Sequence, residues 1–387
     1  MIGARKRNTL LAGLAMATVF ATAACGSSSA EGNGGDGGVA DTIKIAQVQD
    51  QTGAVAYAGV GASEGAELAI EEINEQGFLG DGVKIELEKL DTAGEIERAS
   101  SEMNKAMADK DVMAILGPTQ SQQAATVSPL VGRTKVPTIF TQAGAEGVVT
   151  NDYTFRATPP MESYYEPVLD HLKAEGAKTI SVLYNATFPT FALLGKDSVP
   201  QWAEDRGMEV VQSLPVEMTT QDFAGQAQQI ASKKPDALVM LLIAPQSVTA
   251  LGQLKDAGYD GQVVATSVQA AGNISEAGDD ANGLVYPVPY SVAFTDESSV
   301  AFTKAFEKKF DKSANPYNAD GYDAMWWIAK AIKASGDSSR EGIQKGLVEV
   351  AGEGYDGAMG AVTFEGNDAR VPGHLVRWMD GAETLVN

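Results

Sequence analysis

Gly61-Ala62-Ser63-Glu64-Gly65 has the G-x-S-x-G spacing that holds a nucleophilic serine at a sharp turn in many hydrolases. Such a turn joins a strand directly to a helix, whereas the nearest strand here ends near Val48. A serine nucleophile also needs an imidazole base within hydrogen-bond reach. The chain has two histidines, His171 in a helical pattern and His374 near its end, and neither has a triad context. Hydrolysis is set aside. Gly59, Gly61 and Gly65 also trace G-x-G-x-x-x-G, with Asp91 at a later strand end, a faint dinucleotide pattern. The long loop expected before these glycines opposes that reading; they more simply let backbone approach a cleft. No cofactor, no metal and no enzymatic activity are expected.

The single cysteine, Cys25, allows neither an internal disulfide nor a cysteine metal centre. Its setting gives it another chemistry. Residues 1–24 open with Arg5, Lys6 and Arg7, run uncharged from Thr9 to Phe20, and end in Ala21-Thr22-Ala23-Ala24. A basic head, a short apolar core and a small-residue cleavage site make a signal peptide. The cysteine at the cut resembles a bacterial lipobox, with Thr22 in the place of the usual leucine, and implies a lipid on Cys25. Residues 25–41 then read as a flexible linker, because Gly26 to Gly38 (GSSSAEGNGGDGG) cannot bury apolar surface. Such a tether reaches on the order of 20 Å. The expected location is extracytoplasmic, at the membrane surface, and no later segment reads as a span.

The remaining residues are too many for one core, so two domains are expected. With 51 acidic against 29 basic residues the formal charge is −22, which repels nucleic acid and favours a soluble monomer. Short β-rich runs alternate with amphipathic helices: IKIAQV (43–48), a helix over 63–76, VKIELEKL (83–90), a helix over 95–109 burying Ile96, Ala99, Met103 and Ala106, VMAILG (112–117), a helix over 121–133, and VPTIFT (136–141). Strands buried on both faces and joined by crossover helices imply a parallel α/β sheet. The pattern restarts after Thr158-Pro159-Pro160, with helices over 162–175, 191–206, 222–232 and 247–257 separated by TISVLY (179–184), MEVVQSL (208–214), DALVMLLI (236–243) and QVVATS (262–267). GLVYPVPY (283–290) holds two prolines that a central strand refuses, so it reads as a linker between sheets. Three helices (296–311, 319–335, 339–350) and the strands AVTF (361–364) and HLVRWM (374–379) follow.

QTGAVAYAG (51–59), GAELAIEEIN (65–74), ILGPTQSQ (115–122), VPTIF (136–140) and YDAMWWIAKAI (322–332), in that order, resemble the periplasmic leucine/isoleucine/valine-binding protein family. The resemblance covers residues 42–387. It implies the type I periplasmic binding protein fold: two Rossmann-like lobes, 42–159 plus 288–366 and 160–287 plus 367–387, joined by a three-strand hinge. The crossings fall near Thr158–Met161, Tyr286–Pro289 and Gly366–Pro372. It also implies capture of a small ligand between the lobes and delivery to an ABC permease. A tethered sensor of the same fold is the alternative.

In open α/β sheets ligands bind beyond the carboxyl ends of strands, where helix N-termini offer free N–H groups. Gln120 and Ser121 stand at such a place, and Ser121 reads as an N-cap; the family has a carboxylate-binding serine at the matching position. Gln142, Ala143 and Gly144 form the next loop, with Gly144 where the family carries a threonine. Tyr57, in the loop expected after the first strand, is a candidate wall. In the second lobe Phe188 and Phe191 replace a Tyr-Gly pair, Ile243 replaces a tyrosine, and Gln269 aligns with the acid that pairs with a ligand ammonium. A neutral amide gives an ammonium no charge-assisted hydrogen bond, so a carboxylate, amide or apolar ligand is expected over a free amino acid.

Overall fold

Ile43 and Ile45 of the first strand enter one apolar core while Ala46 and Val48 enter another. A strand with both faces buried belongs inside a sheet covered by helices on each side. The computed structural model describes residues 38–386 except 54 and 146, so the signal segment, Cys25 and most of the linker lie outside the described residues. The chain runs β1 (Thr42–Gln49), α1 (Ala56–Glu75), β2 (Lys84–Asp91), α2 (Ile96–Ala108), β3 (Val112–Leu116), α3 (Ser121–Thr134), β4 (Thr138–Phe140) and β5 (Thr154–Arg156). These five strands are parallel, in the order β5-β4-β3-β1-β2.

It then enters a second unit of the same kind: α4 (Met161–Tyr165), α5 (Pro167–Ala174), β6 (Thr179–Asn185), α6 (Pro189–Leu193), α7 (Val199–Asp205), β7 (Glu209–Val216), α8 (Ala224–Lys233), β8 (Ala237–Leu241), α9 (Ala244–Asp256), β9 (Gln262–Val264) and β10 (Val285–Val288). The parallel order is β10-β9-β8-β6-β7. α10 (Glu297–Phe310), α11 (Pro316–Ser335) and α12 (Arg340–Glu353) follow. β11 (Tyr355–Gly357), β12 (Gly360–Glu365) and β13 (Asp368–Arg370) then extend the first sheet beyond β5. Finally β14 (His374–Met379) and β15 (Ala382–Leu385) extend the second sheet beyond β10. Two α/β sheets joined by three passages of chain are what the sequence led one to expect.

Several expectations are corrected. The segment 283–290 contains β10, between β9 and β14, and is not wholly a linker. Its ladder with β9 reaches only Val285↔Val264, so the missing N–H of Pro287 breaks no bond on that side. The second passage therefore begins after Val288. The third falls later than residue 366, because Asp368–Arg370 pairs within the first sheet. The helix over 162–175 is two helices divided before Pro167, and the one over 191–206 passes through a π turn at Leu194–Ser198. Ile96 is exposed, although Ala99, Met103 and Ala106 are buried as expected.

The largest correction concerns α1, which begins at Ala56 and not at Ser63. Gly59 and Gly61, expected ahead of the helix, lie inside it with Gly65. Gly61 faces Tyr317, whose Cβ would stand 2.8 Å from an added methyl, and Gly65 and Gly321 pack on the backbone of the opposite helix. The pattern is a close crossing of α1 and α11. Ser63 is buried in that helix, donating to Gly59 O at 2.9 Å and accepting from Gln51 Nε2 at 2.7 Å. The serine is structural. Among the described residues no helix is long and apolar enough to cross a membrane, and no cluster of side chains is placed to hold a metal ion.

Candidate functional site

In each sheet the strand order reverses direction beside an early strand, between β1 and β3 and between β6 and β8. Helix N-termini gather there, and the crevice at the strand ends is where this architecture places ligands. Beneath the first crevice lies a buried polar seam. Gln49 at the end of β1 donates to Thr141 Oγ1 at 2.5 Å and accepts from Thr119, which joins the loops after β1, β3 and β4. Asp50 accepts from Gly94 N at 2.9 Å, from Gln123 Nε2 and Gln120 Nε2 at 3.0 Å each, and from Thr92. The Gln120 side-chain amide, a candidate ligand contact in the sequence, thereby donates to Asp50.

Gln120 is also the N-cap of α3, with extended backbone, so Ser121 is the first helical residue and not the cap. Its hydroxyl accepts from Ala145 N at 3.1 Å and retains its own hydrogen to donate. The N–H groups of the first helical turn lack intrahelical acceptors. The Ser121 hydroxyl and those N–H groups are donors of the kind that suits an anionic oxygen. Ala145 closes the loop that carries Gln142, Ala143 and Gly144. Ala143 is buried in the core beneath, so only its backbone is available, and its carbonyl accepts from Arg156 Nη1 at 3.3 Å. Ala145 O accepts from the same nitrogen at 2.7 Å, and Arg156 Nε donates to Asp368 Oδ1 at 2.7 Å. Gly144 has open space, with nothing within 4 Å of an added Cβ.

Gln142 adopts a positive φ of 64°. Its main-chain N–H donates to Thr158 Oγ1 at 2.5 Å and to Asp320 Oδ2 at 3.2 Å, and its side-chain amide donates to the same carboxylate oxygen. Thr158, on the first passage between sheets, also donates to that oxygen. One turn before Asp320 on α11, Tyr317 meets the ring of Tyr57 edge-on at 5.4 Å. Tyr57 is 57% exposed, in the first turn of α1 and not in a loop. Burial raises the pKa of the Tyr317 hydroxyl.

The second-sheet residues divide differently. Phe188 is the exposed N-cap of α6, its ring 4.8 Å from Phe191. Phe191 is fully buried in the second core, so it supports Phe188 and does not line the crevice. Ile243 is the half-buried N-cap of α9. Gln269 is fully buried; its Nε2 donates to Leu242 O at 2.9 Å and its Oε1 has no partner. Between the two groups stands Tyr164 on α4. Its hydroxyl shares a 2.9 Å hydrogen bond with Ser267, and the neighbouring Glu162 and Asp320 add to the burial that raises its pKa.

A family model described as periplasmic binding protein matches residues 42–380. The chain belongs to that family. A leucine-, isoleucine-, valine-, threonine- and alanine-binding protein of Pseudomonas aeruginosa is 27% identical over 80% of this chain and 82% of its own length. A leucine-binding protein of Thermotoga maritima superposes with TM-score 0.77 at 24% identity, covering 89% and 98% of the two chains. A solute-binding protein of R. palustris in complex with benzoate superposes with TM-score 0.75 at 17% identity, covering 89% and 96%.

Within this periplasmic binding protein, reading the sequence missed Tyr317, Asp320 and Tyr164. A usable signal existed for the acid: Asp320 interrupts Ala319, Gly321 and Ala324 on the buried side of α11. Burial pushes Asp320 up to about 7 against its bonds to Thr158 and Gln142, and burial pushes Asp323 up to about 7 against the N–H groups of Ala358 and Met359. An acid with a raised folded pKa takes up a proton on folding between its unfolded value near 4 and 7, so stability falls as pH climbs through that window. His171, whose pKa burial lowers, acts in the opposite sense as pH falls below 6.5. The solute-free protein is therefore expected to melt higher at pH 5.5 than at pH 8, and Asp320→Asn to flatten the difference. Differential scanning calorimetry checks this; a melting temperature rising steadily from pH 5.5 to 8 would contradict it.

Proposed function

We propose that this chain is the extracytoplasmic solute-binding component of an ABC importer, held to the membrane by a lipid on Cys25. It captures a small amino acid-like, carboxylate or amide solute between its two lobes and presents it to a permease. The observation that carries this reading is the seat formed by Ser121 and the first turn of α3 at the reversal point of the first sheet, within a chain of this family. The names of its relatives add that members of similar sequence or fold take amino acids or an aromatic carboxylate. Tyr317, one turn before Asp320, meets Tyr57 edge-on, and an apolar solute body packs well against such rings. Closure of the lobes follows where the closed state makes contacts with the solute that the open state lacks.

A thermal-shift screen of the full chain tests the capture step, using branched-chain amino acids, their des-amino carboxylates, amides and aromatic acids. A solute present at a hundred times its Kd adds about 2.7 kcal/mol of stability. A clear upward shift with at least one probe, reduced in Ser121→Ala for carboxylate probes, is expected. Absence of any shift across the panel would overturn the reading.

A further inference from the structure

Every hydrogen bond to Asp320 converges on one of its two oxygens. Gln142 N, Gln142 Nε2 and Thr158 Oγ1 all donate to Oδ2. Oδ1 is buried and has no partner. A buried acceptor left unpaired loses its hydration without replacement, a cost that is larger for a charged group. No cationic side chain among the described residues offsets the charge of this carboxylate. Anchoring Gln142 needs only the satisfied oxygen, so the free one is unexplained by structure alone.

Its position suggests what would use it. The loop that meets Asp320 at Gln142 meets Ser121 at Ala145. Three residues of chain span at most about 10 Å. The anion seat and Asp320 are therefore held against the two ends of one short loop, and such a pair suits a small solute with an acceptor at one end and a donor at the other. In the second sheet the position expected to carry the acid is Gln269, buried with its amide nitrogen bound to Leu242 O.

We propose that Asp320 is the specificity-determining residue of this site, its Oδ1 accepting an N–H hydrogen bond from the bound solute. The solute class is then a small carboxylate that also carries a nitrogen donor, a protonated amine before a neutral amide, because the ionic pair is the stronger one. The inference rests on the solute-binding reading above and assigns the nitrogen-recognising group to the first sheet. The charge that Gln269 lacks is supplied from the other side of the crevice.

The test uses the full chain with three probes of one skeleton: leucine, its des-amino carboxylate 4-methylpentanoate, and 4-methylpentanamide, each titrated by calorimetry. The wild type is expected to bind leucine at least tenfold more tightly than the des-amino acid. Asp320→Asn, and Asp320→Ser as a second variant, are expected to lose tenfold to a hundredfold for leucine and little for 4-methylpentanoate. A purely structural role for Asp320 would weaken all probes alike, so the ratio of affinities is the deciding readout. Equal binding of leucine and 4-methylpentanoate by the wild type overturns the inference while leaving solute capture standing, and needs no variant to fold. Tighter binding of the amide than of leucine overturns the ammonium preference. If no probe binds the wild type, the inference and the reading beneath it fall together.

Discussion

Replacing Arg156 with methionine is expected to lower unfolding stability by about 3–5 kcal/mol, the range for removing one partner of a buried ion pair. The guanidinium is 4% exposed and Asp368 only 21%. Methionine keeps much of the side chain's bulk but leaves Asp368 without its cation and the carbonyls of Ala143 and Ala145 without their donor. Arg156 is the last residue of β5, just before the first passage between sheets, and Asp368 opens β13, just before the third. One side chain thus ties two of the three passages to the loop that contacts both Ser121 and Asp320. Affinity is expected to fall along with stability, because the loop loses the clamp on two of its carbonyls. Arg156→Lys should recover only part of either, since an ammonium cannot reproduce the planar fork that reaches three acceptors at once. Urea denaturation followed by tryptophan fluorescence measures the first effect. A loss below 1 kcal/mol would show that the loop holds itself.

The alternation of apolar strands and amphipathic helices made both sheets legible in the sequence. β1, β3, β6 and β8 were readable because each buries residues on both faces. Of the short strands, β4 and β9 fall within VPTIFT and QVVATS, but two others were not readable. β5 and β13 are three residues each and gain their character from neighbours, so no periodicity announces them. β10 was hidden by prolines whose cost depends on whether a partner strand extends alongside them, which only the sheet reveals. The start of α1 was misplaced because glycine signals either a loop or a close helix crossing, and local composition does not separate the two.

At the site the division is similar. Strand ends and helix starts located the loops around Ser121 and Gln142, but not what each side chain does within them. Gln120 and Gln142 are both candidate ligand contacts in the sequence, yet each donates to a buried aspartate, Asp50 or Asp320, from a distant element. Phe188 and Phe191 stand one helical turn apart, and only packing shows that one is at the rim and the other in the core. Asp320 went unnoticed because its importance comes from Thr158 and Gln142, both more than 150 positions away in sequence.

Gly65→Ala is expected to destabilise the protein by about 3 kcal/mol, at the upper end of what overpacking a core costs. An added methyl at Gly65 would overlap the carbonyl oxygen of Asn318 on α11. That carbonyl has little freedom to retreat, because Asn318 donates to Gly61 O at 3.0 Å and accepts from Asn315 N at 2.9 Å in the capping box that starts the helix. The helices must separate instead. Such a shift moves Tyr57 on α1 relative to Tyr317 and draws Asp320 away from Gln142, so solute affinity should drop in the same variant. Gly225→Ala supplies the control. It lies in α8 with nothing within 4 Å of its added Cβ, and alanine there should be neutral or stabilise by up to about 1 kcal/mol through helix propensity. Paired urea titrations of the two variants distinguish a close helix crossing from the general effect of glycine in helices. Equal responses at residues 65 and 225 would mean that the α1 and α11 backbones do not pass as closely as their glycines allow.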